Sequence, residues 1–341
     1  MRSLIGPPSL ALCLLFTAAG AAMAGPVTAR PALGDQAQWV LGADSRDVPA
    51  GSSSREPAAV LSIGVAGGWS RIGYQEHLDP TGEDTLLTRC RGTGRDDLCK
   101  IESDAALHNL RFDLRARADL REGLLIGSAL RTELLRGTDR EFWTQTSTDP
   151  ATGGRVDSLQ TDDLEYRWTH FDLYGGYRIR PLLRPIVGLR ISRVEQRRDA
   201  FIDEIVDVAL AGSAIEPVRS TWLLLGALGE QSGPGRTFGY HVIAGLPLSV
   251  KTTNSALPGA EFTGVGGYLF EASGSLSLPL GSRIRFVLGV QGGVMHWNGS
   301  DLVRVRLADG RQYIAKWPEN DTRQLAVLGG LELGSRPFTA R

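Results

Sequence analysis

His170 and Asp172 stand two residues apart, the spacing that puts two side chains on one face of a β-strand. A carboxylate touching an imidazole fixes its orientation and lets it act as a general base toward a water or a hydroxyl. This pair is the catalytic candidate, although no motif supplies it with a Ser or Cys nucleophile. A second set of residues carries charge with the same parity of two. Arg111, Asp113, Arg115, Arg117 and Asp119 alternate in one stretch, and Arg131, Glu133, Arg178, Glu271, Arg283 and Arg285 repeat the habit elsewhere. Both signs are present, so these groups can neutralise one another if they face a common interior. Cys90 and Cys99 lie nine positions apart in a polar stretch with no further Cys or His at ligand spacing. That pattern predicts one disulfide in an oxidising compartment and no metal site. No phosphate-binding loop is present, because none of the Gly-Gly pairs precedes a helix, and no cofactor is expected.

The elements that must position these groups are strands. From Leu107 to Leu120 the apolar residues Leu110, Phe112, Leu114, Ala116, Ala118 and Leu120 alternate strictly with polar ones. A helical period would smear both sets around a cylinder, so the segment is extended. The same test picks out ten strands: 61–74, 107–120, 124–136, 164–180, 186–198, 218–230, 236–251, 268–280, 283–294 and 322–334. They are far longer than the usual five or six residues of soluble sheets. Short connections (121–123, 181–185, 232–235, 281–282) alternate with long polar ones, which predicts an antiparallel meander with its long loops at one end. The last long loop carries its own hairpin, with Val303 to Leu307 running into Asp309-Gly310 and Tyr313 to Trp317 running back.

Composition fixes the address and excludes some partners. The 341 residues carry 37 basic and 38 acidic groups, a net charge of −1, with no basic run. This offers nothing to nucleic acid. Residues 1–24 combine Arg2, an apolar stretch from Leu10 to Phe16 and the small-residue ending Ala22-Met23-Ala24, and predict a cleaved secretory signal peptide. Beyond it no apolar run reaches the roughly 20 residues of a membrane helix. Residues 25–57 read as a periplasmic linker or arm, and 58–341 as one β domain.

A leader, long alternating strands, short turns at one end and long loops at the other resemble a bacterial outer-membrane β-barrel. The resemblance covers about 58–334 and is to an architecture, with no single family identifiable. It implies an all-β, closed, antiparallel up-and-down transmembrane barrel of about ten strands. Short turns and termini then face the periplasm, long loops face outside, and outer-membrane lipid is the partner. A two-sheet sandwich alternates as well. Strand length, loop rhythm and aromatics near the loop ends (Trp69, Tyr74, Phe142, Trp143, Tyr166, Trp168, Phe201, Trp222, Tyr268, Phe270 and Trp297) favour the barrel, the aromatics being read as an interfacial girdle. The expected function is a structural or surface-interaction role, with the charged set filling much of the lumen and the loops contacting an extracellular ligand. Two alternatives stay open: a narrow solute or ion channel, and a surface hydrolase. Ten strands is also the count of omptin-like surface proteases, which need an Asp pair facing a His–Asp pair; Asp162-Asp163 and His170/Asp172 are the nearest equivalents. His296-Trp297-Asn298-Gly299-Ser300 loosely echoes barrel lipid hydrolases.

Overall fold

The computed structural model describes residues 59–78, 99–120, 123–147, 156–180, 182–203, 208–209, 212–264, 266–306, 310 and 312–335. The signal segment, the 25–57 arm and Cys90 lie outside them. Ten antiparallel strands close on themselves. They are β1 (Ala59–Leu78), β2 (Cys99–Leu120), β3 (Leu124–Glu133, continued by Gly137–Ser147), β4 (Val156–Tyr177), β5 (Arg184–Asp203), β6 (Ala214–Gly233), β7 (Arg236–Thr253), β8 (Gly267–Pro279), β9 (Ile284–Trp297) and β10 (Glu319–Gly334). Each pairs with its neighbour in sequence, and β10 returns to β1 over sixteen residue pairs from Ser62↔Gly334 to His77↔Glu319. Closure gives each of the ten barrel strands a paired neighbour on both sides, so the barrel itself has no edge strand. The predicted loop hairpin is present as Val303–Arg306 paired with Gln312–Ala315.

Alternation sorts the side chains as a membrane barrel requires. Leu61, Ile63 and Val65 on β1, Leu189 and Ile191 on β5, and Leu331 and Leu333 on β10 point outward and are exposed. Arg111, Asp113, Arg131, Asp172, Arg190 and Glu271 point inward and are buried. The outward band ends toward the loops at a row of exposed cations: Arg71, Arg167, Arg193, Arg219, Lys251 and Arg323. Arg193 sits directly opposite Arg219, and Arg219 opposite Lys251. Strands as long as 22 residues continue past this row, so the wall stands well beyond the apolar band.

The aromatic residues correct one expectation. Trp69, Phe142, Tyr268 and Phe270 are exposed on the outer wall, but Tyr74, Tyr166, Trp168, Trp222 and Trp297 are buried inside it. They belong to the parity that faces the lumen, where they fill the upper bore instead of forming a girdle. One glycine in each of the pairs Gly67-Gly68, Gly175-Gly176 and Gly329-Gly330 relieves crowding between strands. A Cβ on Gly68 would lie 2.0 Å from the Val327 carbonyl oxygen, and one on Gly330 2.1 Å from that of Val65.

Candidate functional site

The lumen is filled in layers, beginning at the turn end. Arg117 engages Asp119 at 2.8 Å and also Glu230, while Arg184 reaches Asp119 at 2.5 Å. A cavity of about 50 Å³ lies beside them, lined in part by Arg115, His241, Arg285 and Glu332. Arg178 and Arg283 are not in this network. They sit in the short turns and are exposed, because both strands have ended before the chain reaches them.

The middle layer is a ring of four charges drawn from four strands. Arg190 on β5 donates to Asp172 on β4 at 2.7 and 3.0 Å and to Glu271 on β8 at 2.5 and 2.9 Å. Arg131 on β3 donates to Glu271 at 2.7 Å and closes the ring on Asp172. Because β8 lies across the barrel from β3–β5, the ring bridges the bore. Beside it Arg111 makes a two-pronged contact with Asp113 at 2.6 and 2.9 Å, Arg115 lies 3.6 Å from the same carboxylate, and Ser70 donates to Glu133 at 2.9 Å. Two charges of each sign, held by charge-assisted bonds, are what the burial of ions demands.

Asp172 therefore spends its oxygens on arginines. His170 instead stacks on Trp168 with ring centroids 4.2 Å apart, and its Nδ1 has no hydrogen-bond partner among the described residues. The two candidate residues share a face as predicted, but no hydrogen bond joins them. Asp162 and Asp163 point to opposite sides of the wall: Asp162 is buried, while Asp163 lies outside, 3.9 Å from Arg140. Asp162 is eight residues from His170 along β4, roughly 26 Å at the rise of a strand. The arrangement an omptin-like protease needs is not assembled from these residues.

Above the ring lies an aromatic layer. Trp222 and Trp297 pack 4.6 Å apart, Trp317 from the last long loop closes on Trp297 at 6.1 Å, and Tyr74 meets Tyr166 at 5.5 Å. Phe262 and Val305, also from loops, are buried in the same cluster.

Beyond the apolar band the lumen ends in an acid-rich rim that the sequence reading missed. Arg198 on β5 meets Glu141 on β3 at 2.6 Å, Glu76 on β1 at 2.9 Å and Glu216 on β6 at 3.2 Å. Asp162 adds a fourth carboxyl beside Glu141, anchored by the Trp143 indole at 3.0 Å. Among the described residues one cation here faces four acids and cannot neutralise them all. Burial, reinforced by Glu141, pushes Asp162 up to about 7; burial and Glu76 push Glu216 up to about 7. Burial opposes ionisation of Glu141 as well, but Arg198 and Ser103 hold its carboxyl below the usual range. The missed signal was parity: Glu76 follows Tyr74 by two, and Arg198 follows Gln196 by two.

His77 and His296 lie on the outer wall near the loops, whereas His241 lines the cavity at the turn end. His77 contacts Glu102 at 3.1 Å, and His296 contacts Asp321 at 3.1 Å and Asn298 at 3.1 Å. Ser300 is buried and accepts the Trp317 backbone N–H at 2.8 Å, and among the described residues no hydrogen bond joins it to His296. Among the described residues no three His, Cys, Asp or Glu side chains converge as a metal site.

No protein-family model matches the chain, and no curated protein does. Solved structures do. The outer membrane protease OmpT from Escherichia coli superposes with a TM-score of 0.56 over 83% of this chain and 100% of its own, at 11% identity. This chain has the fold of an outer-membrane β-barrel. The barrel also aligns with the translocator domain of the autotransporter NalP from Neisseria meningitidis (TM-score 0.31, 12% identity, 81% of this chain and 89% of that one). A third match is the Pseudomonas putida toluene transporter TodX (TM-score 0.25, 9% identity, 84% and 91%).

Proposed function

We propose that the protein is a closed, non-conducting barrel of the bacterial outer membrane. In this reading it is exported by its 1–24 segment, contacts lipid through its apolar band, and presents its long loops outside the cell to an extracellular ligand or in support of the envelope. The observation that carries this reading is the Arg131–Asp172–Arg190–Glu271 ring across the bore, capped by packed indoles. An ion entering from the turn end meets paired charges and then apolar rings. One entering from the loop end meets the acidic rim and then the same rings before the paired charges. The nearby cavity of about 50 Å³ admits only a few water molecules. Wild-type protein in a planar bilayer is expected to show no unitary conductance. A steady conductance that changes in Arg111→Ala or Arg115→Ala would establish the narrow-channel alternative instead. Heat-modifiable mobility of protein from an outer-membrane fraction tests the placement.

The hydrolase reading is supported by overall likeness to OmpT alone. It predicts that His170→Ala and Asp172→Ala abolish turnover of surface peptides or lipid A. The packing around both residues predicts no turnover to abolish.

A further inference from the structure

The end of the barrel opposite the long loops has an unusual surface. Short turns that face water are ordinarily polar, yet the β4–β5 turn exposes Ile179 (60%) and Leu182 (49%), and the β8–β9 turn exposes Leu280 (65%). Arginines stand between these apolar tips: Arg178 and Arg180 in the β4–β5 turn, Arg236 at the β6–β7 turn, and Arg283 at the β8–β9 turn. All four are exposed, and none has an ion pair among the described residues. The three turns follow one another around the rim, because β5 adjoins β6 and β7 adjoins β8.

The described carboxylates near this end offer no counter-charge. Asp119 and Glu230 face the lumen and are held by Arg117, and Glu332 faces Arg285 there. The outer rim of the turns is therefore purely cationic among the described residues. Its apolar tips continue the exposed band of the wall without a break, through Tyr177 on β4 and Ile284 on β9. The Arg236 guanidinium lies 5.5 Å over the ring of Phe238, which is itself half-exposed at the foot of that band. A cation resting on an outward aromatic ring is placed where hydrocarbon meets headgroup.

We propose that these three turns are an anionic-phospholipid site, with Ile179, Leu182 and Leu280 seated in the interface and Arg178, Arg180, Arg236 and Arg283 binding phosphate-bearing headgroups of the adjacent leaflet. The proposal rests on the membrane placement above. Its distinct content is a preference for lipids that carry net negative charge over zwitterionic ones. Continuity with the apolar band favours a lipid partner over a docked protein, which would need a surface separate from the one already in the membrane.

The test uses the whole barrel and begins with insertion into phosphatidylcholine vesicles. Failure to insert would strike the membrane placement itself. Inserted protein is then extracted with equal amounts of phosphatidylglycerol and phosphatidylethanolamine, and the retained lipids are counted by native mass spectrometry. Wild type should retain a several-fold excess of phosphatidylglycerol. Each arginine near an anionic surface contributes about fivefold in affinity. The four-site variant Arg178→Gln, Arg180→Gln, Arg236→Gln, Arg283→Gln should therefore retain the two lipids near parity, while the matching Arg→Lys set keeps the excess. Heat-modifiable mobility confirms that both variants are folded. An excess unchanged in the Gln set, or lost only when Arg193, Arg219 and Lys251 at the opposite edge are changed, overturns the assignment. So does wild-type protein that shows no preference.

Discussion

Removing Arg190 should unbalance the centre of the barrel. With Arg131, Asp172 and Glu271 the ring is neutral; Arg190→Met leaves two carboxylates sharing one guanidinium and breaks four hydrogen bonds of 2.5–3.0 Å. Arg190 is almost wholly buried, so water does not replace those donors. Breaking one side of such a pair typically costs about 3–5 kcal/mol, mostly because the abandoned charge stays buried. Equilibrium urea unfolding from lipid vesicles measures that loss directly. The companion variant Arg190→Met/Glu271→Met restores a one-to-one match between Arg131 and Asp172, and methionine fills the vacated volume. It should be more stable than Arg190→Met alone, with a coupling of about 0.5–3 kcal/mol in the double-mutant cycle. A loss below about 1 kcal/mol for the single variant, or strictly additive effects in the pair, would refute the idea that this ring holds the bore shut.

The rim should make stability depend on pH in the unusual direction for carboxylates. Asp162 and Glu216 are raised to about 7, so between about pH 4 and 7 the folded protein binds more protons than the unfolded chain. Their contribution is fully present below the unfolded values and is lost as pH rises through 7. Unfolding at pH 5 and pH 8 should show the difference, and Asp162→Asn with Glu216→Gln should flatten it. Arg198→Met should destabilise more at pH 8 than at pH 5, since Glu76, Glu141 and Glu216 then repel without a cation between them; equal losses at the two pH values would contradict this. Gly330→Ala should cost about 1–3 kcal/mol and lower the yield of closed barrel on heat-modifiable gels, because the new methyl meets the Val65 carbonyl at 2.1 Å.

The period of two made the strands legible, since a slip of one residue would turn the arginines of β2 into the apolar band. The central part of every strand was readable for that reason. Strand ends toward the loops were not: 138–147 and 156–163 looked like polar loop, because beyond the apolar band both faces of a strand meet polar surroundings and the contrast fades. That is why Glu141 escaped notice, and why Asp162, its inward-facing neighbour in the rim, was singled out only as half of an Asp pair with Asp163. The buried tryptophans were misplaced for a related reason. Trp222 and Trp297 lie at the right height for an interface, and height along a strand says nothing about the side of the wall. The sharing of a face by His170 and Asp172 was readable; their partners were not, since Arg190 reaches Asp172 only through the pairing of β4 with β5.

The seam between β1 and β10 carries a consequence for biogenesis. The residues it joins, such as Ser62 and Gly334, are separated by almost the whole domain, while every other seam joins strands adjacent in the chain. Until the final segment arrives, the growing sheet has two raw borders with unmet backbone groups, each able to capture another copy. The polypeptide must therefore be handed over entire and kept from its siblings until the last pairing zips. A version cut short before Glu319 should be lost to aggregation or proteolysis, with no smaller pore left behind.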